Sequence, residues 1–202
     1  MRVSNDELRA ILTIIMCDKV PLLPLDYSNN KNGSIIRASL EEKGIIKANH
    51  LTDGGMLLAQ LVEQYCKAEK HLVINRSYIA LIENNKAISF TQEMDGDYEL
   101  KITDRTALIY AILHEYPDMK KASKPFSIPR IYKETREGFE AMLQGDIADE
   151  IILIGWHNGD TYKKYIYYWN TEKCYCFHVD GEMCEELETA EIRRRIVKIM
   201  ED

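Results

Sequence analysis

The sequence predicts an α+β fold: a mostly antiparallel sheet built from two three-strand meanders related by a rough two-fold, flanked by helices. Three observations carry this. The chain has 202 residues, 46% hydrophobic and 29% charged, an ordinary globular composition that excludes a disordered chain. Residues 56–116 and 135–200 share the order helix, strand, strand, strand, helix, with no residue-level repeat. A three-strand meander is marginal alone, so the economical solution is one domain with a larger antiparallel sheet and helices packed around it.

Each element has its own reason. Residues 5–17 read as a helix, with Ser4 or Asn5 as cap, Asp6 and Glu7 at the positive end, and Leu8, Ile11, Leu12 and Ile15 on one face. Pro21 and Pro24 forbid its continuation, and 26–33 is a polar loop. Residues 34–43 predict a short helix with Ile35, Ile36 and Leu40 inward and Gly44 after its end. Residues 51–55 read as a turn. Residues 56–70 predict the clearest helix, with Leu57, Leu58, Leu61, Val62 and Tyr65 at helical spacing.

The texture then changes to alternation. Residues 72–82, 86–93 and 98–103 read as strands, with hairpin turns at Asn84-Asn85 and Asp95-Gly96. Asp104 opens a helix that carries Leu108, Ile109, Ile112 and Leu113 and stops before Pro117. Residues 118–131 predict an exposed connection, and 135–144 a short helix. Three more strands follow at 151–156, 164–170 and 174–179, separated by turns at 157–160 and 170–173. Residues 185–200 predict a final helix with Leu187, Ile192, Ile196 and Ile199 inward.

Charge and motifs narrow the function. The formal net charge of −7 argues against nucleic acid, because phosphate binding needs a basic face. No stretch reaches the roughly 18 apolar residues of a membrane span. The early apolar run at 10–17 follows Asp6 and Glu7 where a signal peptide would be basic, so a cytoplasmic protein is expected. Five cysteines read as reduced thiols. The phosphate-cradling, nucleophile-elbow and zinc-protease motifs are missing from the sequence.

Cys174, Cys176, His178 and Cys184 form the one metal-like group. Strand periodicity puts the first three on one face, but C-x-C-x-H is a poor zinc spacing. Buried thiols are the simpler reading, and neither a metal nor another cofactor is expected. A carboxylate Mg²⁺ site fails as well. Glu99-Leu100-Lys101 precedes Pro117-Asp118 in the wrong order, and Glu172-Lys173 lies in a turn. The dispersed His50, His71, His114 and His157 sit beside no Ser or Cys that would suggest a triad.

The first 93 residues also fit a winged helix with 56–70 as reader. Gln60, Glu63, Gln64, Lys67 and Glu69 would face DNA, and two acids repel phosphate. Tyr165, Tyr167 and Trp169 on one face of 164–170, with Ile166 and Tyr168 on the other, read as core or as interface anchors.

The order that starts at Val3-Ser4-Asn5-Asp6-Glu7-Leu8 resembles a known family. Pro21 and Pro24 follow in an apolar loop. A short helix then ends at Glu42-Lys43-Gly44-Ile45-Ile46 and leads to the apolar helix at 56–70. Strands Leu72-Val73-Ile74 and Ala87-Ile88-Ser89-Phe90 come next. This resembles the EspG-like proteins of type VII (ESX) secretion and their relatives in Firmicutes, over residues 3–116 in pattern and beyond that in architecture. The resemblance implies a quasi-two-fold α/β fold and a cytosolic chaperone or adaptor for helical secretion substrates, with no catalytic residues. Mycobacterial members bind the tips of PE–PPE heterodimers, and a Firmicute relative is expected to meet a WXG100 or LXG protein.

The leading expectation is thus a non-enzymatic binding protein. The alternatives are a winged-helix regulator and, behind it, a metal-dependent enzyme. Two surfaces are expected to meet the partner. The hairpin Met94-Asp95-Gly96-Asp97-Tyr98 presents an apolar residue on each side of a tight turn. The last helix presents Arg193, Arg194, Arg195 and Lys198, of which Arg194 and Lys198 are the chosen contacts, to steer an acidic helix end.

Overall fold

The computed structural model describes residues 1–17, 20–27, 32–120, 130–142, 149–157, 160–169 and 174–201. It is α+β, with antiparallel pairing throughout the registers given below. It divides into two compact units: Met1–His71 with Arg76–Thr103, and Leu72–Asn75 with Asp104–Asp202.

The first unit begins with β1 (Arg2–Val3) and α1 (Asn5–Ile14). Ser4 caps α1 reciprocally. Its hydroxyl accepts from the Glu7 N–H at 3.2 Å, and Glu7 accepts from the Ser4 N–H at 2.7 Å, so two orphan donors are satisfied at once. Next come α2 (Gly33–Glu42), a small hairpin of β2 (Ile46–Lys47) and β3 (His50–Leu51), and α3 (Asp53–Lys67). Gly44 takes φ +66° just after α2, the left-handed exit expected of a helix end. Residues 53–55, expected as a turn, form the first turn of α3, because the Thr52 hydroxyl accepts from the Gly55 N–H at 3.1 Å and starts the helix early. A Cβ at Gly55 would collide with the Ile45 carbonyl, so α3 approaches that backbone only through glycine.

Helix α3 buries Leu58, Val62 and Tyr65 against Leu8, Ile11, Ile88, Phe90 and Tyr98. The Tyr65 and Phe90 rings meet edge to face at 4.9 Å, a favoured aromatic geometry. Leu57, expected inward, is 54% exposed. Strands β5 (Ser77–Ile82), β6 (Lys86–Gln92) and β7 (Tyr98–Asp104) complete this unit in the order β1-β7-β6-β5. Asn84 and Asn85 both have positive φ, 57° and 58°, as the two-residue hairpin signal requires.

The expected strand 72–82 is two strands, β4 (Lys70–Ile74) and β5. Asn75 turns between them at φ 51°, a conformation that Asn tolerates.

The second unit runs in the order β4-β9-β10-β11-β12-β8. It holds α4 (Arg105–Glu115), β8 (Arg130–Lys133), α5 (Arg136–Met142), β9 (Asp149–His157), β10 (Asp160–Trp169), β11 (Cys174–His178), β12 (Met183–Leu187) and α6 (Thr189–Glu201). The pairs β9–β10, β10–β11, β11–β12 and β12–β8 are antiparallel. Its small core stacks Phe139 on Phe177 at 5.1 Å beside Ile166, Tyr168 and Cys184.

Three expectations change in this unit. Residues 130–131, expected in an exposed connection, open the edge strand Arg130–Lys133 that pairs with β12. Residues 183–187 are a strand, so the last helix starts at Thr189. Of the four apolar residues expected to pack from α4, Ile112 is buried, while Leu108, Ile109 and Leu113 are half-buried. The expected turns at 158–159 and 170–173 lie outside the described residues, as do 121–129 of the expected connection.

Candidate functional site

The hairpin tip is built by its own backbone. Between β6 and β7 the Glu93 N–H donates to the Asp97 carbonyl at 2.8 Å, and the Gly96 N–H to the Glu93 carbonyl at 3.1 Å. Gly96 has φ +88°, which a side chain would strain. The Asp97 N–H also donates to Asp95 Oδ1 at 3.2 Å, an Asx turn. Arg2 on β1 then pairs with Asp95 and, through Nε at 3.3 Å, with Asp97. Both aspartates are thereby engaged within the chain, and Met94 stands 96% exposed.

Tyr98 does not project beside Met94. It is 1% exposed, and its hydroxyl donates to the Pro24 carbonyl at 3.0 Å. Burial, with the neighbouring Tyr78, pushes its hydroxyl pKa up to about 12. Strand alternation explains the difference, since Tyr98 opens β7 opposite Val3 with its side chain in the core.

The α6 surface also differs in part from expectation. Ala190, Ile192, Ile196 and Met200 are buried, while Ile199 is only half-buried. Arg194 is exposed and pairs with Glu191 at 2.9 Å; Lys198 is exposed. Arg195 does not join them. Its Nη2 donates to both oxygens of Glu185 at 3.0 and 2.9 Å, and its Nε to Glu191 at 3.2 Å. The outward basic face is therefore Arg194 and Lys198, with Arg193 half-buried at its border.

The Cys–His group resolves by register. Cys176 faces Glu185 across β11–β12, and Phe177 faces Cys184. Alternation puts Cys174, Cys176 and His178 on one face and Cys184 on the other. Cys184 lies in the small core with Phe139 and Phe177, so the four residues of the metal-like group do not converge. Cys176, His178 and Glu185 do, with donor atoms within 4.8 Å of one another. His178 Nε2 lies 3.2 Å from Glu185 Oε2.

A cation could use those three donors, yet the Arg195 guanidinium already sits there, with Nη1 3.8 Å from Cys176 Sγ. Burial opposes the charge of Arg195, but the Glu185 hydrogen bonds and charge raise its pKa. Burial pushes the Cys176 thiol up to about 12, away from the thiolate that metals bind. The buried Tyr167 hydroxyl interacts with the Arg195 guanidinium and the Cys176 thiol. Glu185 escaped the sequence reading because 185–200 looked helical, and its approach to Cys176 exists only through strand register.

A second buried carboxylate also went unread as a partner of distant residues. Glu7 is 1% exposed. It accepts from Ser39 Oγ at 2.7 Å and from Lys43 Nζ at 2.7 Å. Burial raises its pKa, and the hydrogen bonds from Lys43, Ser39 and Ser4 outweigh that and lower it.

No helix among the described residues is long and apolar enough to cross a membrane. In comparisons with known proteins, the chain is 28% identical over 116 residues to the type VII secretion system protein EsaE of Staphylococcus aureus, in strains USA300 and NCTC 8325 alike. The match covers 56% of this chain and 52% of the relative, so the chain spans about half the length of the curated relatives it matches. Residues 25–200 match the model described as Domain of unknown function (DUF5081), and the chain therefore belongs to that family.

Proposed function

We propose that this protein is a non-enzymatic chaperone or adaptor of type VII secretion that holds a helical secreted partner of WXG100 or LXG type in the cytoplasm. The observation that carries the reading is the similarity to EsaE, whose name places that relative in a type VII secretion system. The EspG-like order of helices and strands in residues 3–116 points to the same export route. Two surface features suit such a role. Met94 is a flexible apolar side chain on a tip whose backbone is tied by hydrogen bonds and ion pairs, and Met adapts to varied apolar partners. Arg194 and Lys198 offer exposed positive charge in a chain of net charge −7, which suits an acidic helix end.

The test is co-expression of the full chain with WXG100 and LXG proteins of the source organism, followed by size-exclusion chromatography. The parallel experiment is a pull-down from native cytosol with mass spectrometry. A co-eluting complex that Met94→Asp, or Arg194→Glu with Lys198→Glu, weakens at least tenfold supports the proposal. If none of these secreted proteins co-elutes and none is captured, the proposal fails. A complex that both folded variants leave at full affinity moves the binding surface elsewhere.

A further inference from the structure

We propose that β8 is a docking edge for an extended acidic segment of a partner protein, which adds as an antiparallel strand with an apolar residue opposite Ile131 and acids opposite Arg130 and Lys133.

Strand β8 closes the strand order of the second unit and has β12 as its one neighbour among the described residues. The register fixes which of its main-chain groups are already bonded. The Glu134 N–H donates to the Glu182 carbonyl at 2.9 Å. The pairs that follow set Lys133 against Met183, Tyr132 against Cys184, Ile131 against Glu185 and Arg130 against Glu186. Hydrogen-bonded and non-bonded pairs alternate along an antiparallel ladder. Tyr132 and Arg130 therefore turn their N–H and C=O groups toward β12, as Glu134 does, while Ile131 and Lys133 turn theirs outward. That outer side offers two donors and two acceptors to an added strand.

The side chains beside the edge select the occupant. Tyr167, Cys176, Glu185 and Ile131 form one cross-strand row. The first three are buried, and the row ends on Ile131 at 58% exposure. An apolar residue on the added strand continues that row. Arg130 and Lys133 are both exposed, and strand alternation puts them on opposite faces. Neither has an ion-pair partner among the described residues.

Charge argues against the other occupants. Cations on an edge deter a purely apolar strand, and a basic one more strongly. A second copy would bring a further net charge of −7. Its Glu134 carboxylate already accepts from the Thr135 N–H of its own chain at 3.0 Å. An acid-x-apolar-acid segment meets all three positions. Run antiparallel to β8, it sets one acid opposite Lys133, the apolar residue opposite Ile131 and the second acid opposite Arg130. Facing opposite charges stabilise a strand pair and admit one partner over others. Met94, Arg194 and Lys198 take no part, so this edge stands or falls apart from the secretion reading.

The test uses the full chain and a labelled peptide, acetyl-Ser-Thr-Glu-Thr-Val-Glu-Thr-Ser-amide, read by fluorescence anisotropy. Binding is expected with a Kd on the order of 0.1 mM, as for a short, transient contact. Replacing both peptide glutamates by lysine, or methylating the valine nitrogen, should weaken it about tenfold. Arg130→Glu with Lys133→Glu should weaken the acidic peptide by about the same factor and make the lysine peptide the better ligand. Amide exchange followed by NMR should show the Ile131 and Lys133 N–H groups protected by the peptide, with those of Tyr132 and Glu134 unchanged. No anisotropy change up to about 2 mM peptide overturns the proposal. So does equal binding of the acidic and basic peptides, or protection that misses Ile131 and Lys133. A dimer of the chain that protects those two amides without peptide overturns it in favour of a second copy. The exchange map of the unsubstituted chain decides the matter even if the double variant does not fold.

Discussion

Glu7 in the first unit and Glu185 in the second are both carboxylates taken out of water, at 1% and 7% exposure. They are held in different ways. Glu7 accepts from a backbone N–H, a serine hydroxyl and a lysine whose side chain is 35% exposed. Glu185 is gripped by both contacts of one guanidinium, with His178 behind it. Neutral donors supply much of the support at Glu7, whereas one fixed cation dominates at Glu185. Burying a carboxylate is costly unless it is paired and hydrogen-bonded, so the two sites should fail differently.

The largest effect is expected at Arg195. Arg195→Ala leaves Glu185 buried without its cation and should cost about 3 kcal/mol, read as a Tm drop on the order of 10 °C. Arg195→Lys should recover part of it, since an ammonium cannot reproduce the two-oxygen grip. An alanine variant that melts with the native chain would sink the claim that this pair holds α6 to β12.

At Glu7 the loss should be smaller. Glu7→Ala removes the reciprocal cap and two long-range bonds, for about 2 kcal/mol in thermal unfolding. Lys43→Ala should cost about 1 kcal/mol, because the two neutral donors remain. Equal costs for the two variants would mean that charge, not hydrogen bonding, holds Glu7.

Acid should separate the contributions. The Glu7 pKa is lowered from 4.5 in the folded chain, so its stabilisation is complete above the unfolded value and fades as pH falls through the folded one. His71 acts earlier. Burial lowers its pKa from 6.5, against the bond between its ring Nε2 and the Tyr65 carbonyl at 2.7 Å. Below 6.5 the unfolded chain takes up a proton that the folded chain refuses, so stability falls with pH there. Chemical denaturation at stepped pH should show stability falling between pH 7 and 5, a fall that His71→Gln reduces. A native profile flat over that range would refute the neutral, buried imidazole.

The smallest effect is at the metal-like group. Zinc added to the native chain should leave Tm unchanged, because Arg195 already occupies the charge centre of Cys176, His178 and Glu185. The Arg195→Ala variant should instead gain a few degrees with zinc, since the three donors are then open to a cation. One tightly held zinc per native chain by elemental analysis would reverse the assignment.

Local chemistry was legible in the sequence. Ser4 and Glu7 marked the start of α1, Leu58, Val62 and Tyr65 marked the buried stripe of α3, and Asn84-Asn85 marked a hairpin with two positive φ values. The α+β class followed from the same local periodicities, because amphipathic helices and alternating strands each demand a covered face. The same hairpin argument put Met94 and Tyr98 both outward, and it held for Met94 alone, because Tyr98 already belongs to β7 and faces the core.

Pairing between distant residues depended on the tertiary fold alone. Residues 183–187 carry an acidic, apolar pattern that suits either helix or strand, and only a strand partner on each side made them β12. That choice brought Glu185 to Cys176, sent Cys184 to the opposite face and turned Arg195 away from the basic surface. Period-two geometry assigns faces with certainty only once register is known, since a slip of one residue flips every side chain. The contacts of Ser39 and Lys43 with Glu7 are of the same kind. Each joins residues whose proximity is set by how α1 packs on α2, and no local spacing in the sequence encodes it.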